Sequence, residues 1–178
     1  PPASRPSVSR LMADFRRDWM KEFVTRQPRI YDGQIISSLR QGTAFFASAS
    51  MIAIGGGFAL LGNAERLRGV AQDLTLERDP IILLEIKLLV LLLFAANAFL
   101  KFVWANRVFG YCAVMIGAVP NDARDPRADL RADQAADLNI SAAKAFNRGL
   151  RSVYFALGAL AWLLGPLALL AATLFTVA

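Results

Sequence analysis

Glu85 and Lys87 are the first residues here whose type and position suggest chemistry, because they interrupt the apolar run IILLEIKLLVLLLFAANAFL at 81–100. Ionisable groups inside a long apolar helix are costly and mark a functional site by default. Two residues apart on a helix, they are separated by about 200° and point to opposite faces, so they do not pair with each other. They lie roughly 8–11 Å along the helix from Pro80, where the Lys87 stem can follow apolar surface and carry its ammonium to an interface. Structural pairing or snorkelling is the expected role. Movement of an ion or proton, and contact with another subunit, are the alternatives. Asn97, on the same helix, is expected to hydrogen-bond a neighbouring helix. Arg40, beside Gln41, is expected to anchor at an interface or on a lipid phosphate.

Other chemistries are excluded by composition. The chain has no histidine, which removes the commonest general base, the commonest metal ligand and the usual axial ligand of a haem. Cys112 is the single cysteine, so no intrachain disulfide and no cysteine-rich metal site can form, and it reads as a small packing residue. The three glycines at 55–57 lie in an apolar run without the strand and the Lys-Ser/Thr of a phosphate-binding loop. No catalytic residue, metal or cofactor is expected, and an enzyme acting on lipid ranks last among the possible functions.

The elements that must carry these residues read as membrane helices. The chain has 178 residues, 56% of them hydrophobic, with net charge +6; its mean hydropathy is +0.41 and its pI about 10.1. A soluble domain is usually about 45–50% apolar, and here the excess is gathered into blocks near 40–62, 81–103 and 152–176. The basic residues flank those blocks, so the positive-inside bias accounts for them and no nucleic-acid partner is expected. The fold class implied is all-α, a polytopic transmembrane helical bundle of three spans with an N-terminal amphipathic helix, packed on the cytoplasmic side or lying in the headgroup layer. Residues 1–31 would be a Pro-rich lead-in and that helix, with apolar Val8, Leu11, Met12, Phe15, Trp19, Phe23 and Val24 on one stripe. Ser7 or Ser9 could cap it. Its Phe15/Trp19/Phe23 stripe is expected to pack on Trp104, Val108, Tyr111 and Met115.

Residues 32–178 would form the transmembrane domain. Pro28 and Asp32-Gly33 signal a turn, with Asp32 as a helix cap. Ser37, Gln41, Ala44, Ser48 and Gly55 fall near one face and suggest a helix–helix seam; Gly158, Gly165 and Pro166 are further packing positions. Asp79-Pro80 is a helix start. No proline interrupts 81–119, so the second span is expected either to project into the cytoplasm or to bend at the interface near Asn106-Arg107; a separate span at 102–119 is the alternative. Residues 120–140 read as a solvated loop, with Ser141 capping the last helix. A kink is expected at Gly165-Pro166, where the Trp162 carbonyl loses its helical donor. Residues 1–40 hold eight Lys/Arg and residues 63–79 hold three. This places 1–40 and 104–150 in the cytoplasm, and 63–79 and the C-terminus outside. The chain begins Pro1-Pro2 rather than with Met, so something upstream is expected.

The stretches RIYDGQIISSLRQGTAFFASASMIAIGG and FNRGLRSVYFALGALAWLLGPL resemble the domain-of-unknown-function 599 family of bacteria and plants. The resemblance covers most of 10–175. It implies a further N-terminal transmembrane helix, four spans in the full protein and both termini outside. It carries over no catalytic residue. Sixteen arginines against four lysines suggest a GC-rich bacterial source, hence the inner membrane. The function expected is a non-catalytic membrane subunit or scaffold. Its partners would be membrane lipids and other transmembrane helices, in a homo-oligomer or a larger, bioenergetic complex. The alternative is a small ion or solute transporter or channel using Glu85, Lys87 and Asn97.

Overall fold

The computed structural model describes residues 6–66, 68, 69 and 80–177. Among them the chain is all-helical, with no strand. The helices are α1 (Val8–Thr25), α2 (Ile30–Leu61), α3 (Ile81–Gly117), α4 (Arg127–Leu160) and α5 (Pro166–Val177), with a 3₁₀ turn at Ala161–Leu164 between the last two. Both α2 and α3 are long and apolar enough to cross a membrane. At 37 residues α3 is unbroken, about 56 Å at 1.5 Å per residue. No separate span therefore starts at 102. Asp79 lies outside the described residues; the N–H groups of Leu83 and Leu84 bond the Pro80 carbonyl at 3.0 and 3.4 Å.

The chain divides into two compact units, and α2, α3 and α4 each contribute to both. Unit 1 comprises residues up to Phe45 and Phe102–Asn147. Its core joins Met20, Phe23 and Val24 of α1, Ile36 of α2, Cys112 and Ile116 of α3, and Ala128, Ala132, Ala135 and Ala136 of α4. Burying an aromatic such as Phe23, which is fully enclosed, contributes roughly 1.5–3 kcal/mol.

Three expectations are corrected here. Residues 127–140 are not a loop: α4 begins at Arg127, and Asp125, not Ser141, sits at its start. The charged residues that suggested a loop alternate with alanines at 128, 132, 135 and 136, one helical face, and those alanines are buried. Secondly, α1 packs with the 102–119 stretch through a different register. Phe15, Trp104 and Tyr111 are 56%, 54% and 45% exposed, while Cys112, Ile116 and Val119 are enclosed; of the expected face, Val108 is buried and Met115 lies at the core's edge. Thirdly, Asp32-Gly33 is no turn but lies in the first turn of α2. The break falls earlier, at residues 26–29, where the Gln27–Pro28 peptide is cis. Ser7 takes the N-cap position of α1 through its backbone carbonyl, without a side-chain cap bond.

Unit 2 comprises Phe46–Lys101 and residues from Arg148 onward. Leu84, Leu88, Leu92, Ala95 and Ala98 form the inward stripe of α3, while Ile82, Ile86, Leu89, Leu93 and Leu100 are 45–70% exposed. Gly57 allows α2 close to α3: a Cβ there would stand 2.5 Å from a Leu92 methyl. Gly55 and Gly56 face open space. The expected third span at 152–176 is not one helix. α4 ends at Leu160, and Gly165, at φ 116°, separates the 3₁₀ turn from α5. The Gly165 N–H bonds the Trp162 carbonyl at 3.2 Å, supplying the donor that Pro166 lacks. A Cβ on Gly158 would lie 3.6 Å from Thr176 Oγ1. In an unbroken helix those residues would be about 27 Å apart, so the chain doubles back at Gly165. Where a kink was expected, there is a reversal, because a positive φ redirects the backbone as a proline alone does not.

Candidate functional site

In unit 2 the polar side chains of α3 go to separate places. Lys87 is 4% exposed, its ammonium 5.7 Å from the centroid of the Trp162 ring. The approach is a cation–π contact, favourable where water is excluded. Glu85, two residues back, is half-buried. Asn97 donates to Ser152 Oγ at 2.7 Å, and Ser152 donates in turn to the Arg148 carbonyl at 3.2 Å. The Asn97 contact ties α3 to α4 beside the Phe94–Phe155 stack at 6.0 Å. Glu85, Lys87 and Asn97 are thus not assembled into one cluster.

In unit 1, Arg40 donates from Nε to Asn106 Oδ1 at 3.4 Å, and Gln41 donates to Ser37 Oγ at 3.2 Å on its own helix. Ser37, Gln41, Ser48 and Gly55 are exposed, with Ala44 half-buried. The α2 face that packs within the chain carries Asp32, Ile36, Thr43, Ser50 and Gly57 instead. Thr43 and Ser50 satisfy their hydroxyls on the carbonyls of Leu39 and Phe46, four residues back. Of the other packing positions, Gly158 and Gly165 are buried and Pro166 is exposed.

The densest polar groups are not among the candidate site residues. Asp32 is fully buried and accepts from Trp19 Nε1 at 2.7 Å and from Arg26 at 2.6 Å. Arg29 donates to the carbonyls of Val24, Val119 and Pro120 at 2.8–3.0 Å, over the Phe23 ring. Arg16 donates to buried Asn139, whose amide reaches Cys112 Sγ at 3.8 Å; Cys112 in turn donates to the Ala135 carbonyl. Burial pushes the Arg16 guanidinium below its ordinary value. Arg17 pairs with Asp137 at 2.7 Å. At the start of α4, Arg127 holds the Asp125 carboxyl down to about 2. These contacts lock helix ends and carbonyls rather than presenting reactive groups. Among the described residues no three Asp, Glu or Cys gather as metal ligands.

The family described as Protein of unknown function, DUF599, matches residues 1–178, the full length. The chain belongs to this family. No curated protein and no solved structure matches it. The two stretches that resembled DUF599 have distinct structural work in this member. RIYDGQII supplies Arg29, Asp32 and Ile36 to the core of unit 1. SVYF supplies Ser152 and Phe155 to the α3–α4 contact of unit 2.

Proposed function

We infer that the protein is a non-catalytic integral membrane subunit or scaffold that associates with other membrane helices, as a homo-oligomer or as an accessory subunit of a larger complex. The observation that carries this is α2. Only 11% of its apolar stretch is buried within the chain. Small residues with open space above them, Gly42, Gly55 and Gly56, lie along it, with Ser48 on the exposed side. Small residues let a second helix approach closely in lipid, where packing and hydrogen bonds replace the hydrophobic drive. Polar contacts spent on holding helix ends support a structural role over a catalytic one.

The topology that fits is two full crossings, α2 and α3, with residues 1–40 and 104–150 cytoplasmic in a bacterial inner membrane and 63–79 outside. The C-terminal segment, reversed at Gly165, enters and returns. This replaces the expected external C-terminus with a cytoplasmic one. Purification in mild detergent tests the function. A stoichiometric partner or a discrete homo-oligomer, lost when Gly55 and Gly56 are both replaced by Leu, is the expected result; a monomer whose behaviour ignores those changes would contradict it.

A transporter remains the second reading, favoured by the burial of Lys87. Ion flux in liposomes, lost in Lys87→Met or Glu85→Gln with assembly unchanged, would establish it over the first.

A further inference from the structure

Across 33–64, 88–121 and 138–178 the sequence holds six basic side chains and no acidic one. Some guanidinium groups find carboxylates, Arg17 on Asp137, Arg26 on Asp32 and Arg127 on Asp125, while Arg16 and Arg29 are taken up by an amide and by backbone carbonyls. Arg40 and Arg107, both in unit 1 and both exposed, have no carboxylate among the described residues. Each is instead held by neutral groups. Arg40 reaches Asn106 Oδ1 at 3.4 Å, and its guanidinium carbon lies 3.9 Å from where a Gly110 Cβ would stand, so it rests against α3 at a glycine. Arg107 bonds the Tyr111 hydroxyl at 2.5 Å, with its guanidinium 5.6 Å from that ring's centroid. The anchoring pairs, 106/110 and 107/111, are offset by one residue on α3, about 100° around the helix. A guanidinium carries five N–H donors, and one from each is used.

Each is an oriented guanidinium with unused donors and no carboxylate among the described residues, and each offers a fork to an oxyanion. What precedes Arg107 on α3 identifies the source of that oxyanion. Val103 and Trp104, 44% and 54% exposed, share the face of Arg107 and Tyr111. Along that face the order is aliphatic, indole, guanidinium, phenol, which is the order met on leaving the hydrocarbon of a bilayer for its headgroups. We propose that Arg40 and Arg107 bind the phosphates of anionic phospholipid headgroups, with Trp104 seated at the hydrocarbon boundary. Guanidinium–phosphate forks supply the geometry. The site rests on the membrane reading above.

The test places the full chain in nanodiscs of phosphatidylcholine with a minor fraction of phosphatidylglycerol and measures the lipid retained on release. Phosphatidylglycerol is enriched around the wild type. Arg40→Gln and Arg107→Gln each reduce the enrichment about fivefold, the equivalent of about 1 kcal/mol per basic residue at a membrane surface, and the double variant approaches the bulk ratio. Arg124→Gln, in the 120–126 connection, changes nothing. Folding is read independently by protection of buried Cys112 from maleimide, and should the double variant expose it, the single variants decide. Absence of enrichment around the wild type, unchanged enrichment in the protected variants, or displacement of the lipid by inorganic phosphate alone would overturn the proposal. Failure of the chain to enter discs would overturn the membrane reading and this site with it.

Discussion

Asp32 shows how a single side chain orders unit 1. It receives an indole and a guanidinium from α1 and its C-terminal exit, while sitting fully enclosed on α2. Truncating a buried acceptor strands its donors, at about 1–3 kcal/mol. Asp32→Ala should therefore lower the temperature at which Cys112 becomes maleimide-reactive, and Asp32→Asn should lower it less, since an amide oxygen still accepts. An unchanged onset in Asp32→Ala would mean that the cluster is decorative. The sequence suggested a capping aspartate before Gly33; its partners come from a helix folded back across a cis-proline break, which local pattern does not reveal. The glycine triplet is similar. Its tolerance in an apolar helix was legible, but only Gly57 meets Leu92. Gly57→Leu should cost about 1–3 kcal/mol by overpacking, and Gly56→Ala should be silent in the same thermal assay.

At the level of elements, long apolar helices were legible and register was not. α3 could be read as a continuous rod because nothing breaks 81–117, yet its exposed Trp104 and Tyr111 drew attention from the smaller residues Ala105 and Cys112 that are actually enclosed. The first half of α4 was hidden by its charge, since alanine contributes little hydropathy while packing closely. Ala132→Leu decides between loop and helix: in a solvated loop it is neutral, whereas on the buried face it should destabilise by about 1–3 kcal/mol, seen as earlier exposure of Cys112. Asp125, accepting from the Arg127 N–H at 2.9 Å, starts that helix. Its folded carboxyl is depressed to about 2, below the usual ~3.9. The stabilisation is therefore complete above about pH 4 and lost as pH falls towards 2. Wild type should lose more thermal stability over that interval than Asp125→Asn, by a small margin because the pair is exposed to water. Equal losses would show that the pair does not support the helix start.

For the whole molecule, the apolar exteriors of α2 and α3 argue for lipid or partner helices around them, since isolated soluble chains rarely leave such surfaces bare. The C-terminal region is where whole-chain reasoning from the sequence departed furthest: residues 152–176 have the length and apolarity of a crossing, and only the positive φ of Gly165 and the meeting of Gly158 with Thr176 make it a hairpin. Labelling of intact cells with a membrane-impermeant maleimide tests this most directly, because the sole native thiol, Cys112, is fully buried and silent. Single variants Asp73→Cys, Asp133→Cys and Ala178→Cys sample the 63–79 connection, α4 and the C-terminus. Two crossings and a returning hairpin predict labelling from outside at position 73 alone, with 133 and 178 reacting only after permeabilisation. Labelling of position 178 from outside would restore a third crossing, and labelling of 133 would reverse the orientation altogether.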